Sequence, residues 1–360
     1  MNNLADFFKG KKVLVTGHTG FKGSWLMQIL LSWGADVVGV SLMPKTSPNL
    51  YGILGLQNGA NSYYFDIDSH EGLLDVIKKE SPEIVFHLAA QPIVRDSYDN
   101  PLETYNTNVM GTANVLEAIR KTDSVKSAVI ITTDKVYKND EWVYPYREVD
   151  PLGGYDPYSA SKAAADITTN SYIQSFFNVS DYKDKHNTLV AIARAGNVIG
   201  GGDWGNHRLV TDIVRSIFEK DEKIIIRSPK AIRPWEHVLE PLHGYLMLGK
   251  KLYEGETEMV GSWNFGPNDS HFVSVEEIVK KAIEVLGKGE YSVEEDSTKH
   301  EANILKLETS KAKCVLKWKS KLTFEDTLKY TFDWYRKYYE GKDNMTEYSN
   351  NQIYKFFNLK

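Results

Sequence analysis

The chain has 360 residues, enough for one large domain or two closely joined ones, which excludes a peptide hormone or a small disulfide-stapled module. Its hydrophobic fraction of 42% and charged fraction of 25% are those of an ordinary folded protein. Forty-three Lys and Arg residues stand against 48 Asp and Glu residues, and the net charge of −5 argues against a nucleic-acid partner bound through bulk positive charge.

The cysteine count and the lengths of the apolar runs indicate the cellular compartment of the protein. The single cysteine, Cys314, cannot form an internal disulfide, which is typical of a reducing compartment, and we expect it to be a buried, inert thiol. No apolar run reaches the roughly 18 residues of a membrane span, and the N-terminal segment lacks a cleavage-site pattern. We therefore expect a cytoplasmic protein with no membrane partner.

The first half of the chain alternates between β-branched runs and helical apolar patterns. Strands are predicted at 12–16, 36–41, 83–87, 126–132 and 188–194, with helices at 25–33, 69–80, 98–121 and from Pro157 onward. Such alternation implies right-handed crossovers between parallel strands. The sequence therefore predicts an α/β fold with a Rossmann-type, doubly wound parallel sheet.

The second half has shorter elements and more Gly, Trp and Pro. Helices are predicted at 209–219, 273–286 and 322–338, a strand at 223–226 and an extended piece at 262–265. These elements predict a smaller C-terminal α/β domain over the carboxyl edge of the sheet. We expect domains at 1–195 and 196–360, interleaved by some chain crossing back, and a loosely attached polar run at 341–352.

A glycine-rich turn follows the first strand. Gly17, Gly20 and Gly23 are three residues apart, and such a turn lets backbone amides at a helix N-terminus meet a pyrophosphate. His18 is expected as a loop residue beside that pyrophosphate. The candidate dinucleotide contacts, here and at later strand ends, are Gly17, Thr19, Gly20, Phe21, Lys22, Gly23, Asp66, Ile67, Leu88, Ala89, Ala90, Gln91, Thr132, Tyr158 and Lys162.

The adenosine end of the dinucleotide is less clearly marked. Asp66 is a candidate partner for the adenine amino group, although it could instead cap the helix near Ser69. The acidic residue that usually binds the ribose after the second strand is missing from 39–44, where Met43 stands. The choice between NAD and NADP stays open on these residues.

A tyrosine and a lysine four positions apart predict redox chemistry. Tyr158 and Lys162 share one face of a helix, and a nearby ammonium should lower the pKa of the phenol. Such a tyrosine can take a hydroxyl proton while hydride leaves the same carbon for a nicotinamide. Both residues should meet the glycine turn and the strand end at Thr132–Lys135 at the carboxyl edge of the sheet.

These motifs resemble the extended short-chain dehydrogenase/reductase family, and within it the epimerases and dehydratases of sugar nucleotides. The resemblance implies NAD as cofactor and Thr133, Tyr158 and Lys162 as the catalytic set. Asp134-Lys135 looks like the pair of the 4,6-dehydratases that act on CDP-glucose, where others have Asp-Glu. The similar stretches are GHTGFKGSWL, EIVFHLAAQP, SYDNP, TNVMGT, GGYDPYS, RAGNVIGGGDW, IRPWEHVLEPL and WNFGPND.

Two positions depart from that pattern. Met43 stands where Asp is expected, and Thr133-Asp134-Lys135-Val136 replaces a more usual Ser-Asp-Lys-Cys. The first departure concerns ribose recognition, and the second is chemically mild.

The resemblance implies a dehydration without net redox change, serving deoxysugar biosynthesis for surface polysaccharide such as the lipopolysaccharide O-antigen. Tyr158 would take the O4 proton, and Lys135 and Asp134 would be the base at C5 and the acid at the C6 hydroxyl. Those roles need a neutral lysine and a protonated aspartic acid, which burial can favour. The alternative is a plain Asp134–Lys135 ion pair at the strand end.

Cationic and polar residues in the rest of the chain are candidates for the nucleoside diphosphate of CDP-glucose. They are Arg95, Asn197, Arg208, Arg233 and His237. Trp204 and Trp235 could line the nucleotide pocket or belong to the core. The nine histidines show no metal-ligand spacing, so no metal is expected. By the same resemblance, helices near 98–121 and 156–178 would form a homodimer, with a tetramer also open.

Three alternatives remain at this point. A GDP- or UDP-sugar dehydratase or a 4-epimerase would also keep the glycine turn, Tyr158 and Lys162, but an epimerase has no use for Asp134 and Lys135. A catalytically silent NAD sensor would typically have lost the tyrosine or the lysine.

Overall fold

The computed structural model describes residues 4–267, 272–294 and 305–359. Asn268 and Asp269, which end the WNFGPND stretch, lie outside the described residues. The strands are β1 (Lys12–Thr16), β2 (Asp36–Ser41), β3 (Asn61–Tyr64), β4 (Ile84–His87), β5 (Ser127–Ile131), β6 (Leu189–Ala195), β7 (Asn197–Ile199), β8 (Ile224–Ile226), β9 (Ile232–His237), β10 (Gly261–Phe265), β11 (Phe272–Ser274) and β12 (Tyr291–Val293). The α-helices are α1 (Leu4–Phe8), α2 (Phe21–Ser32), α3 (Leu50–Ile53), α4 (His70–Glu80), α5 (Val94–Asp99), α6 (Pro101–Tyr105), α7 (Gly111–Arg120), α8 (Pro157–Ser175), α9 (Leu209–Val214), α10 (Leu239–Tyr253), α11 (Val275–Leu286), α12 (Phe324–Glu340) and α13 (Met345–Phe357).

Seven parallel strands form the central sheet, in the order β10-β6-β5-β4-β1-β2-β3. Every residue of β5 and β6 is buried, as expected for strands covered on both faces. Side chains of α4, α7 and α8 cover one face, and those of α2 and α10 cover the other. The predicted doubly wound parallel sheet is confirmed.

Two strands of this sheet were not predicted as part of it. β3 has no buried residue, so its sequence lacks the apolar pattern of a strand. β10 was expected in the smaller C-terminal unit, but it pairs with β6 in parallel and completes the sheet. The 15-residue helix α10 was also missed, although its Leu242, Tyr245 and Leu246 are fully buried. The second half of the chain thus supplies an edge and part of a face of the central sheet.

The predicted helix at 98–121 is divided in the structure. Asn100 precedes Pro101, and a residue before proline is disfavoured in helical conformation, so α5 ends and α6 begins there. A π-helical turn at Asn106–Met110 then leads into α7.

The rest of the second half forms a three-stranded sheet, β11-β9-β7, and a two-stranded sheet, β12-β8. The expectation of a loose segment at 341–352 is wrong, because α13 packs Ile353 and Phe356 into the core and Ser349 accepts a hydrogen bond from the Trp334 indole. The expectation of a buried Cys314 is also wrong, since its side chain is exposed. Among the helices described, none has the length and apolar character needed to cross a membrane.

Candidate active site

A cavity of about 880 Å³ lies along the carboxyl ends of β1, β4, β5 and β6. Of the predicted site residues, only His237 does not line it. His237 is fully buried, its Nδ1 accepts the Leu239 amide, and its ring packs against Trp25 and Tyr330. Burial lowers the pKa of His237 to about 3, so it is a neutral core histidine and not a substrate contact.

The three glycines of the first turn have different steric requirements. Gly17 has φ of +73°, and a Cβ there would lie 2.6 Å from the Ala89 nitrogen. A Cβ on Gly23 would lie 2.1 Å from the Gly17 carbonyl oxygen, whereas one on Gly20 would meet its nearest atom at 3.3 Å. Protein packing therefore demands Gly17 and Gly23, while at Gly20 the missing side chain leaves room on the cavity side.

The N-terminus of α2 fits a dinucleotide pyrophosphate. Gly20 is its N-cap and provides no side-chain hydrogen bond to the amides of the first turn, which therefore stay available to an anion. Thr19 fixes the turn to the end of β2, since its hydroxyl lies 2.8 Å from both the Ser41 hydroxyl and the Leu42 carbonyl oxygen.

His18 does not lie beside this anion site as predicted. Its side chain is fully buried against the backbone of Gly39, where a Cβ would collide with the imidazole ring. Burial lowers the pKa of His18 to about 4. The side chain therefore stays neutral and packs the turn against β2.

Asp66 and Met43 lie on the wall of the adenosine end. The cap of α4 is Ser69, whose hydroxyl accepts the Gly72 amide, so Asp66 is not the helix cap. One oxygen of Asp66 accepts the Asp68 amide at 3.2 Å. Met43 is 62% exposed and brings no carboxylate to this wall.

A buried asparagine that the sequence analysis missed holds the turn after β4. Asn108 accepts the Gln91 amide at 2.8 Å and donates to the Gln91 carbonyl oxygen and the Ser161 hydroxyl. It lies in the π-helical turn and links α8 to the cofactor side of the cavity. Its position within TNVMGT, a polar residue in a helical stretch, was the available signal.

Tyr158 and Lys162 lie on the first turns of α8, which begins with Asp156 as N-cap and Pro157 at its first position. Lys162 Nζ donates to the Ile131 carbonyl oxygen at 2.9 Å. Burial lowers the pKa of Lys162 to about 8, and the nearby Lys22 acts in the same direction.

The predicted lowering of the tyrosine pKa is wrong in direction for the protein alone. Burial raises the pKa of Tyr158 to about 12 and Asp134 adds to this, while a hydrogen bond with Thr133 and the charge of Arg208 oppose it. Lys162 binds the backbone of β5 and is not among the groups that shift this pKa. In the structure, Thr133 and Arg208, and not Lys162, are therefore the groups that lower the pKa of Tyr158.

Asp134 and Lys135 lie beside the tyrosine. Asp134 is buried, and its Oδ1 accepts the Thr133 hydroxyl at 3.0 Å. Burial raises the pKa of Asp134, opposed by Lys135, and so favours its protonated form. Lys135 Nζ is 5.9 Å from the centre of the Tyr158 ring. In the described structure, no ion pair forms within 4 Å between Asp134 and Lys135. The alternative that these two residues are a plain ion pair at the end of the strand is therefore not supported.

Two further buried ionisable groups were missed. Glu236 on β9 is buried, and burial raises its pKa well above the ordinary value, opposed by Lys22 and supported by Glu240 and Asp134. Arg194 on β6 forms a buried pair with Asp166 at 2.8 Å. An arginine in an otherwise apolar strand is a visible signal for a buried pair.

The substrate end of the cavity carries several arginines. Arg208 pairs with Asp203, and Arg233 donates to the Ile232 carbonyl oxygen at 2.9 Å. Arg95, Asn197 and Arg227 also line the cavity, and Arg227 was not predicted.

The two tryptophans differ in their surroundings. Trp204 packs mainly among Trp334, Tyr335 and Tyr338, so the core alternative holds for most of its ring. Trp235 lines the cavity and donates its indole N–H to the Val273 carbonyl oxygen. In the part of the chain that the structure describes, no group of three or more His, Cys, Asp or Glu residues could hold a metal ion.

Comparisons with known proteins agree with this geometry. The family model described as GDP-mannose 4,6 dehydratase matches residues 14–331. The CDP-glucose 4,6-dehydratase of Salmonella typhimurium is 46% identical over 339 residues, covering 94% of each chain. The dTDP-glucose 4,6-dehydratase of Bacillus anthracis, solved in complex with NAD, is 26% identical with a TM-score of 0.75, covering 92% of this chain and 98% of that one.

A more distant structure shares the fold. The UDP-glucose 4-epimerase of Thermotoga maritima, solved with UDP-glucose, has a TM-score of 0.77 at 23% identity, covering 91% of this chain and 99% of that one. With a family model matched over most of its length and a relative at 46% identity, this chain belongs to the GDP-mannose 4,6-dehydratase family of extended short-chain dehydrogenases/reductases.

Proposed function

We propose that the protein is an NAD-dependent CDP-glucose 4,6-dehydratase, which converts CDP-D-glucose to CDP-4-dehydro-6-deoxy-D-glucose and water. The observation that carries the proposal is the position of Asp134 and Lys135 beside Tyr158, in the same cavity that begins at the glycine turn. The 46% identical relative supports CDP-glucose as the substrate.

The cofactor would be held by the α2 N-terminus, Asp66 and the Leu88–Gln91 turn, with Lys162 near the nicotinamide end. When bound, NAD supplies the acceptor for the C4 hydride and the source of the hydride returned to C6. The protein binds and orients both molecules and moves the protons.

Tyr158 takes the O4 proton in its phenolate form as C4 is oxidised. The hydrogen bond with Thr133 and the charge of Arg208 favour that phenolate against the effect of burial. The resulting ketone acidifies the C5 proton, which the Lys135 amine removes and returns to C5 when hydride is added at C6. Asp134 donates a proton to the departing C6 hydroxyl, a role that its burial favours by keeping the carboxyl protonated. Arg95, Arg208 and Arg233 neutralise the diphosphate, and Asn197 adds a hydrogen bond.

The test is incubation of the purified protein with NAD and, separately, CDP-, dTDP-, UDP- and GDP-hexoses, followed by mass spectrometry. Loss of one water from CDP-glucose alone is expected. Loss from another nucleotide sugar instead would make the protein a different 4,6-dehydratase. An unchanged mass with interconversion of glucose and galactose forms by NMR would make it a 4-epimerase, and no reaction at all would favour an NAD sensor.

We further propose a homodimer formed through α5–α8. Leu102 on α6 is 83% exposed, and Tyr105, Met110 and Ile167 add exposed apolar side chains to the same helices. Sedimentation should give twice the mass of one chain, or four times if dimers pair into a tetramer; the mass of a single chain would contradict the proposal. We also propose that the protein is cytoplasmic and that it serves surface-polysaccharide synthesis.

A further inference from the structure

Residues of α9 and of β8 and the segment after it also line the cavity. Ile225 on β8 is 45% exposed and presents an apolar surface to the cavity. Arg227 and Ser228 follow it along the chain, and Asp212 lines the cavity from α9. An apolar platform with a few polar groups at its edge is suited to a flat heterocyclic base.

The position of Asp212 along α9 relates it to the reacting end. Arg208, at the start of α9, interacts electrostatically with Tyr158, and the Asp212 amide donates to the Arg208 carbonyl oxygen at 2.9 Å. Asp212 therefore lies one helical turn further along, on the same face as Arg208. With a hexose at Tyr158 and its diphosphate at Arg208, the nucleobase would lie toward Asp212 and Ile225, which line the same cavity.

Burial raises the pKa of the Asp212 carboxyl, and the nearby positive groups Arg227, His207, Arg215 and Arg95 oppose that rise. Within the described residues, no hydrogen bond or ion pair engages this carboxylate, so its oxygens are available to a ligand.

We propose that Asp212 selects the base by accepting a hydrogen bond from the exocyclic amino group of cytosine. Uracil and thymine carry a carbonyl oxygen at the same ring position, and a carboxylate repels that oxygen. The inference rests on the proposed function and deepens it, because it names the residue that distinguishes CDP-glucose from UDP- and dTDP-glucose.

The experiment compares wild-type protein with Asp212→Asn, using the full chain with NAD. We expect kcat/KM for CDP-glucose to fall roughly tenfold to a hundredfold, the effect of losing a charged hydrogen bond. Activity with UDP-glucose should be retained or rise, because the amide can donate to the uracil carbonyl oxygen. Glu222→Gln, an exposed carboxylate between α9 and β8, is the matched control and should leave the ratio unchanged.

Equal losses with both nucleotides would overturn the inference, since a structural role of Asp212 affects both alike. Calorimetric binding of CDP and UDP to wild type and variant measures the same preference without turnover, so it separates this inference from a failure of the proposed activity. If Asp212→Asn does not fold, wild-type protein is titrated with N4,N4-dimethyl-CDP and with 5-methyl-CDP. Only the first lacks the donated hydrogens, and equal affinities for the two would overturn the inference.

Discussion

The cofactor end and the substrate end of the cavity are built in different ways. The cofactor end uses backbone amides and glycines of consecutive strand-turn-helix units, and its key contacts are fixed by local spacing. The substrate end combines side chains from β9, α9 and the segment after β4, which are distant in sequence. The first kind of site depends on local backbone geometry, and the second depends on how the two halves of the chain pack together.

The largest loss of activity is expected at Tyr158, where the cofactor end and the substrate end of the cavity meet. Tyr158→Phe removes the hydroxyl that takes the O4 proton, and turnover of CDP-glucose should fall by about a thousandfold or more. NAD binding, followed by fluorescence quenching, should change little because the ring stays in place. Turnover within tenfold of wild type would show that another group moves this proton.

Two glycines of the first turn should differ in their roles: Gly23 is needed for folding, and Gly20 is needed for NAD binding. Gly23→Ala places a methyl group 2.1 Å from a backbone oxygen and should cost roughly 3 kcal/mol of unfolding free energy. Gly20→Ala meets its nearest protein atom at 3.3 Å, so it should cost much less stability than Gly23→Ala while weakening NAD binding. Thermal unfolding and NAD titration of both variants test this contrast, which similar losses of stability would contradict.

The second half of the chain should show a pH-dependent stability of its own. Glu240 on α10 is buried and accepts the amides of Lys321 and Leu322 at 2.7 Å. Burial raises the pKa of Glu240 to about 7, so the folded state holds its proton more tightly than the unfolded state. Its contribution is therefore fully present below about pH 4.5 and is lost as the pH rises to about 7.

Glu240→Gln keeps the accepting oxygen without the ionisation. It should raise the unfolding free energy at about pH 8 by roughly 1–3 kcal/mol and leave it nearly unchanged at about pH 4.5. Urea denaturation at both pH values measures the difference, with exposed Glu222→Gln as control. A variant with the pH profile of the wild type would show that Glu240 does not carry this dependence.

The same contrast explains what could be predicted from the sequence. Strands β1 and β2 were placed to the residue, and the glycine turn, Tyr158 and Lys162 were brought to one cavity, because local periodicity and spacing determine them. The seventh strand β10, the helix α10 and the last helix α13 depend on partners far away in the chain.

Burial accounts for the errors at individual site residues. His237 was predicted as a substrate contact and His18 as a loop residue beside the pyrophosphate, but tertiary packing encloses both, which no short motif reveals. The direction of the Tyr158 pKa was wrong because helical spacing alone does not show that Lys162 bonds to the β5 backbone. The predicted boundary at 195/196 stays a prediction, although β10 from beyond it joins the main sheet.

The position of β10 also bears on how the protein is made. During synthesis, residues 12–195 emerge first, with six of the seven strands of the sheet, while β6 still has an unpaired edge. The apolar face that α10 will cover stays open until residue 253 has left the ribosome, and the edge stays open until residue 265 has done so. A nascent chain stalled between these points presents an open strand edge to its neighbours, so translation past β10 protects this protein from aggregation.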